Sequence, residues 1–114
     1  MAAFEYNEVK VLRVIDGDTV DLMIDMGFDI HTKQRFRLYG IDTPETRTKD
    51  LDEKAKGLEA KEWLINAITD KTITIQSILD KKGKFGRYLC IIKANGINLN
   101  ESLVQVGLAK RYVP

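Results

Sequence analysis

Alternation of apolar and polar residues is the feature that most restricts the fold of this 114-residue chain. The cleanest run extends from Thr19 to Met26, where every second residue is apolar and Asp21 and Asp25 fall between them. This is the period of a β-strand with one buried face. Further runs, several of them rich in β-branched residues, predict strands at 9–15, 35–39, 72–78 and 88–93. The sequence therefore predicts five short strands.

A segment with helical period separates the third and fourth predicted strands. Apolar residues recur there at spacings of three and four from about Leu58 onwards. We expect the helix to begin at Gly57 and to end at Asp70-Lys71, and the alternative is an earlier start near Leu51. The polar residues 46–56 are otherwise predicted to form a mobile surface loop.

A second helix is predicted after the fifth strand. Asn98 is a favourable N-cap, and Glu101 stands three residues later, as a capping box requires. Gly107 is a natural residue to end the helix. Its predicted buried stripe consists of Leu99, Leu103 and Val106.

The predicted element order is β-β-β-α-β-β-α. Five short strands with a helix between the third and the fourth is the element order of the OB-fold barrel. We therefore predict a mainly β chain with helices, in the α+β class, that folds as a single domain over residues 1–114.

Composition excludes several classes of protein. No apolar run approaches the roughly 20 residues that a membrane span needs, and the first residues lack the pattern of a signal peptide. The single cysteine, Cys90, excludes an internal disulfide and is typical of a reducing compartment. We therefore expect a cytoplasmic protein. The isolated His31 and the mid-strand Cys90 also argue against zinc or thiol chemistry.

Charged residues accumulate where the third predicted strand ends. Arg37 alternates with apolar neighbours and so faces away from the core. Asp42 and Glu45 follow, on either side of Thr43-Pro44. The proline disfavours a helical backbone conformation at the preceding residue, Thr43. One guanidinium and two carboxylates are thus delivered to one strand end, a combination suited to a cation together with a phosphate.

A further aspartate is predicted to lie beside this strand end. Asp16-Gly17 is a strong hairpin signal, and that alone could explain both residues. Asp18, however, begins the neighbouring strand. Asp18 and Asp42 at adjacent strand ends would form the hard, oxygen-rich site that calcium prefers.

Two arginines could bind a phosphate at the same place. Arg37 and Arg87 can each donate bidentate hydrogen bonds and stabilise the negative charge that builds up on a five-coordinate phosphorus. Glu45 could accept a proton from the attacking water. Each residue alone is weak evidence, because exposed arginines and glutamates are common.

Four motifs together resemble the staphylococcal nuclease family, also called the micrococcal nuclease or thermonuclease family. The resemblance extends from about Val9 to Tyr112. The motifs are Asp16-Gly-Asp-Thr19, Arg37-Leu-Tyr-Gly-Ile-Asp-Thr-Pro-Glu45, Gly86-Arg87 and Asn100-Glu-Ser-Leu-Val104 with Gly107-Leu-Ala-Lys110. The central nonapeptide is the specific one.

The resemblance implies a calcium-dependent endonuclease with an OB-fold. Such enzymes hydrolyse the phosphodiester bonds of DNA and RNA with little sequence preference and leave 3′-phosphate ends. The implied catalytic residues are Arg37, Glu45 and Arg87. The implied calcium ligands are Asp18 and Asp42 through their carboxylates and Thr43 through its carbonyl. Asp16 is implied to support the metal site without binding the metal directly. The implied nucleotide-binding residues are Lys84, Phe85 and Tyr112.

The chain departs from the family pattern in two respects. Phe85 stands where the family often has tyrosine, which removes one hydroxyl contact worth on the order of 1 kcal/mol. The family's C-terminal helix is also expected to be absent. We expect a monomer that binds DNA and RNA, with single strands preferred, and no membrane. The alternative is an inactive nuclease-like OB module that binds nucleic acid or protein.

Overall fold

The computed structural model describes residues 4–78 and 87–112. Lys84 and Phe85 lie outside the described residues. The strands are β1 (Glu5–Tyr6), β2 (Val9–Asp16), β3 (Thr19–Asp25), β4 (His31–Leu38), β5 (Ile41–Asp42), β6 (Ile73–Ile78), β7 (Tyr88–Ala94), β8 (Ile97–Asn98) and β9 (Lys110–Arg111). The helices are α1 (Leu51–Ile68) and α2 (Leu99–Gln105). Neither helix of this part of the chain is long and apolar enough to span a bilayer.

The main sheet has the strand order β1-β6-β7-β4-β3-β2, with β8 added beside β7. The first three predicted strands correspond to β2, β3 and β4, which pair in sequence order as an antiparallel meander. β4 and β7 pair in parallel, so that Phe36 lies opposite Tyr88. The mixed α+β class and the OB-like arrangement are confirmed, although the path of hydrogen-bonded strands described here is open rather than closed. β5 and β9 form a separate two-stranded sheet.

The core lies between the inner face of this sheet and the two helices. Strand residues that alternate in sequence are alternately buried, as Phe36 and Leu38 show on either side of the half-buried Arg37. Each fully buried leucine or isoleucine contributes about 1.5–3 kcal/mol relative to exposure. The largest fully buried side chains are Leu22, Leu38, Ile41, Leu64, Ile75, Ile92 and Leu103.

Helix α1 begins at Leu51, the alternative start, rather than at Gly57. Asp50 caps its N-terminus by accepting hydrogen bonds from the backbone N–H groups of Asp52 (3.0 Å) and Glu53 (3.2 Å). The predicted surface loop over residues 46–56 is therefore wrong from Leu51 onwards. Most residues of the first two turns of α1 are exposed, so the sequence of these turns shows no apolar period. The only local signal for the start was the capping residue Asp50. Gly57 lies inside the helix rather than at its start.

Helix α2 confirms its predicted cap, because the Glu101 N–H donates to Asn98 Oδ1 at 3.1 Å. Leu99 and Leu103 are buried as predicted, but Val106 is 53% exposed. The helix ends at Gln105, so Val106 is the C-cap and has left the helical stripe. Gly107 follows with a positive φ of 82°, the backbone that favours glycine after a helix.

Strand β4 also begins earlier than predicted, at His31 rather than at Arg35. Residues 32–34 are polar and show no apolar period, but each is paired with β3, beginning with Thr32 opposite Ile24. The His31 imidazole lies 3.6 Å from the Asp25 carboxylate across the same hairpin.

Candidate active site

The hairpin turn between β2 and β3 places Asp18 at the candidate active site. Asp16 pairs with Thr19, so Gly17 and Asp18 form the turn, and the prediction that Asp18 begins the neighbouring strand is wrong by one residue. A Cβ atom on Gly17 would lie 2.7 Å from the Ala60 side chain in α1. The glycine is therefore required because helix and turn are in direct contact, a reason that the hairpin signal did not reveal.

Asp18 is only 7% exposed, and its backbone and side chain join three segments of the chain. Its carbonyl accepts a hydrogen bond from the Leu38 N–H at 2.8 Å. Carboxylate Oδ2 accepts from the Thr43 N–H and Oδ1 from the Thr19 hydroxyl, both at 3.1 Å. Asp18 is thus fixed against the end of β4 and the residue that follows β5.

Arg37 lies between the two carboxylates predicted to bind a cation. Its Nη2 donates to Asp42 Oδ1 at 3.1 Å and lies 3.6 Å from Asp18 Oδ2. The aromatic ring of Tyr112 covers the guanidinium, with 5.0 Å between Cζ and the ring centroid. Asp18 and Asp42 therefore face a single positive charge.

Arg87 reaches the same place from another strand. It immediately precedes β7, which runs parallel to β4, and its Nη1 lies 3.4 Å from the Thr19 hydroxyl. Thr19 is also the cross-strand partner of Arg37. Two guanidinium groups consequently converge around one residue.

These residues line a cavity of about 300 Å³. Its lining includes every residue of the predicted catalytic and metal sites, together with Asp16. Two further lining residues, Pro44 and Arg47, had no role predicted from the sequence. The complete lining is Asp16, Asp18, Arg37, Asp42, Thr43, Pro44, Glu45, Arg47 and Arg87.

The loop that carries the exposed Glu45 is held on two sides. The Thr46 hydroxyl donates a hydrogen bond to Asp16 Oδ1. On the other side, a Cβ atom on Gly57 would lie 2.5 Å from the Glu45 carbonyl oxygen and 2.8 Å from that of Pro44. Gly57 thus lets α1 pack directly against the backbone of this loop.

The donor set fits a hard cation in part. Asp18 and Asp42 each direct one carboxylate oxygen at the Arg37 guanidinium, and the buried Thr43 hydroxyl has no hydrogen-bond partner among the residues described. Over residues 4–78 and 87–112, no three His, Cys, Asp or Glu side chains gather as a metal site. Calcium takes six to eight oxygens, so backbone carbonyls and water would have to complete its shell.

Asn100 is a residue of this region that sequence reasoning missed. It is buried; Oδ1 accepts from the Ile92 N–H (3.1 Å), and Nδ2 donates to the Tyr39 carbonyl (2.9 Å) and the Cys90 carbonyl (3.1 Å). It fixes the turn between β4 and β5 that leads to Asp42. In the sequence Asn100 opens one of the four family motifs, but nothing there indicates which groups its side chain contacts.

The sequence profile of the family described as "Staphylococcal nuclease homologue" matches residues 35–114. The match covers the greater part of the chain and includes Arg37, Asp42, Glu45 and Arg87. The chain belongs to this family. The family resemblance is therefore confirmed, and three of the four motifs that carry it contribute residues to the cavity lining.

Individual members of the family are moderately similar to this chain in sequence. The thermonuclease of Staphylococcus hyicus is 32% identical over 101 residues, which cover 89% of this chain and 57% of the relative. A protein of Escherichia coli O157:H7 described as an uncharacterized endonuclease is 30% identical over 104 residues, covering 90% and 60%. An uncharacterized protein of Bacillus anthracis is 34% identical over 101 residues, covering 86% and 44%. The chain spans about half the length of these relatives.

Proposed function

We propose that this protein is a nuclease, a hydrolase that cleaves the phosphodiester bonds of DNA and RNA. The observation that carries the proposal is the convergence of Arg37, Arg87 and two carboxylates in one cavity beside Glu45. Paired guanidinium groups suit a phosphate, and the facing carboxylates suit a divalent cation. The names of the thermonuclease and endonuclease relatives support the same activity.

We propose calcium as the cofactor, with Asp18, Asp42 and the Thr43 carbonyl as its ligands. When bound, calcium would supply positive charge next to the phosphate. In support, the Asp18 carboxylate accepts a hydrogen bond from the Thr43 N–H, which holds Asp18 beside the third proposed ligand. Asp16 supports the site indirectly, because it holds Thr46 in the loop that follows the ligands.

The chain's own residues would perform the remaining steps. Arg37 and Arg87 donate hydrogen bonds to the nonbridging phosphate oxygens and stabilise the charge that develops in the transition state. Glu45 orients the attacking water and accepts its proton. Water attacks phosphorus in line with the departing 5′-oxygen. As the new P–O bond forms, the bond to the 5′-oxygen breaks, and this oxygen takes a proton from solvent water, which leaves a 3′-phosphate end and a 5′-hydroxyl. Tyr112 contacts the guanidinium of Arg37 and is proposed to lie beside the bound nucleotide.

The first experiment is a cleavage assay. Purified protein is incubated with denatured DNA and with RNA at millimolar calcium, and the product ends are analysed. We expect cleavage that EDTA abolishes, with single strands cut faster than duplex because the site must reach a phosphodiester with a splayed base. Absence of cleavage in a preparation that still binds the oligonucleotide would favour the inactive binding module instead.

The second experiment assigns the residues. Glu45→Ser should lower kcat by about 10²–10⁴-fold, and Arg87→Gly by about 10²–10³-fold, because a general base or a charge-stabilising donor is lost. Glu59→Ser, an exposed change on α1, is the matched control and should leave kcat unchanged. Circular dichroism checks the fold, and a near-normal rate in Glu45→Ser or Arg87→Gly would reject that residue's role.

A further inference from the structure

The outward face of β2, β3 and β4 carries basic residues in register. Arg13 lies opposite Asp21, which lies opposite Arg35 on the other side. In the next row, Met23 lies between the two lysines Lys10 and Lys33. The four basic residues, which we call the basic ridge, are all exposed: Lys10, Arg13, Lys33 and Arg35.

One carboxylate organises the centre of the basic ridge. Arg35 donates to both oxygens of Asp21, from Nε at 2.8 Å and from Nη2 at 3.1 Å. The hydrogen bond from Arg35 holds the pKa of Asp21 below its ordinary value, and the charges of Lys33 and Arg13 act in the same direction. Three cations therefore surround one nearly buried carboxylate, and positive charge remains in excess.

The basic ridge is directional. Arg37 follows Arg35 by two residues on the same face of β4, so side chains on this face recur about every 7 Å towards the candidate active site. At the opposite end, Asp25 lies across from His31, 3.6 Å from its imidazole, and the excess of positive charge stops there. The basic ridge thus leads along β4 to Arg37, which lines the cavity.

We propose that the basic ridge binds the phosphate backbone of the nucleic-acid strand whose scissile phosphate occupies the cavity. The inference rests on the proposed nuclease function. A strand that leaves the cavity along β4 presents its phosphates to Arg35, Arg13 and Lys33 in turn. Repeating negative charge along a line is what distinguishes a nucleic-acid backbone from a small phosphate ester, and positively charged grooves bind single strands in this way.

Binding is measured without cleavage. A fluorescent 16-residue oligothymidylate is titrated in EDTA, and anisotropy gives Kd at several salt concentrations. In Arg13→Gln/Lys33→Gln, each lost phosphate contact should weaken binding about 5-fold at 0.1 M salt, so about 25-fold for both. The slope of log K against log salt should become less steep by about 1.4.

The control variant removes the same charge elsewhere. Lys54→Gln/Lys71→Gln changes two exposed lysines, one in α1 and one after it. It should keep nearly the wild-type Kd and salt slope. Equal losses in the two double variants would show that only net charge matters and would overturn the proposal, as would wild-type protein that does not bind the oligonucleotide at all.

Substrate length separates this proposal from the proposed function. With calcium, the Arg13→Gln/Lys33→Gln variant should cleave a thymidine dinucleotide with unchanged kcat/KM but lose kcat/KM on the 16-residue strand. An equal loss on both substrates would overturn the proposal. Wild-type protein that binds the strand, with the expected loss in the variant, but cleaves neither substrate would disprove the nuclease and leave the basic ridge in place.

Discussion

The carboxylate of Asp21 shows how one side chain determines the behaviour of its neighbours. It is nearly buried, although it lies on the outward face of β3, where side chains are normally exposed to solvent. Arg35 covers it through two hydrogen bonds while its own side chain remains 48% exposed. The pair therefore belongs energetically among exposed ion pairs, which contribute at most about 1 kcal/mol.

Replacing Arg35 with glutamine should lower stability in a pH-dependent manner. The folded-state pKa of Asp21 is below its unfolded value, so the stabilisation is fully present above the unfolded pKa of about 3.9 and is lost as pH falls through the folded pKa. We expect Arg35→Gln to cost about 1 kcal/mol from pH 5 to 7, and less towards pH 3. Urea unfolding across this range measures it. A cost that stays constant down to pH 3 would contradict the assignment.

Single residues could be predicted where their neighbours are near in sequence. That Arg37 faces away from the core followed from the alternation with Phe36 and Leu38, and the cap at Asn98 followed from its own local motif. Asn100 could not be predicted, because one of its partners, the Tyr39 carbonyl, is 61 positions away. The requirement for glycine at position 57 could not be predicted for the same reason, because it depends on contact with the backbone of Glu45.

At the scale of elements, α1 acts as a support for the active-site loop. Glycine inside a helix costs about 1 kcal/mol relative to alanine, so Gly57→Ala would be expected to stabilise an isolated helix. Here the added Cβ would meet the Glu45 carbonyl oxygen at 2.5 Å. We predict a net loss of about 1–3 kcal/mol in the free energy of unfolding and a fall in kcat, because Glu45 must shift.

The matched control for Gly57→Ala is Leu58→Ala, at the next and exposed position of the same helix. Urea unfolding and single-turnover cleavage are measured for both variants. The control should retain the wild-type kcat. If Gly57→Ala were more stable than wild type with normal kcat, the contact between helix and loop would have no functional weight.

The cap of the same helix gives a second test. Asp50→Ala removes the acceptor for two backbone N–H groups and should cost about 1 kcal/mol. Asp50→Asn keeps an acceptor and should restore most of that loss. Hydrogen exchange should show faster exchange confined to the first turn of α1 in the alanine variant. Equal stability of the two variants would mean that the cap contributes nothing.

Elements were predictable where apolar residues repeat and less so where a helix or strand begins at the surface. The meander of β2, β3 and β4 and the body of α1 repeat their period several times. The start of α1 and the first residues of β4 have polar, largely exposed side chains, so only caps and cross-strand pairs define them. The two-residue strands β5 and β9 are too short to carry a period, and each exists because the other is present.

The molecule as a whole joins sequence-distant segments at one cavity. The motifs predicted that these segments would meet, and the structure brings them together. No motif indicated that Arg37 would lie between Asp18 and Asp42, because that position depends on the three-dimensional pairing of β4 with both neighbours. The identity of the residues was thus more predictable than their mutual contacts.

Calcium should stabilise the whole fold if it is held by Asp18 and Asp42. A ligand at 100 times its Kd raises the free energy of unfolding by about 2.7 kcal/mol, which corresponds to a rise in Tm of roughly 10 °C for a chain of this size. We expect this shift with calcium in differential scanning calorimetry. The measurement needs no substrate and is independent of activity.

Two variants test where the calcium effect originates. Asp18→Asn should abolish most of the rise in Tm, because one carboxylate ligand is lost. Asp29→Asn, at an exposed position in the β3–β4 turn, removes the same charge and should keep the full rise. An equal calcium response in the two variants would place the ion elsewhere.

The pairing of β5 with β9 has a consequence for how the protein is made. Asp42 is held opposite Lys110, and the Tyr112 N–H donates to the Gly40 carbonyl at 2.9 Å. A ribosome adds about 5–20 residues per second, so Asp42 is synthesised several seconds before its partners. The sheet that holds Asp42 cannot form until residues 110–112 have left the ribosome. Newly made protein would therefore acquire its complete site only after translation has passed Tyr112.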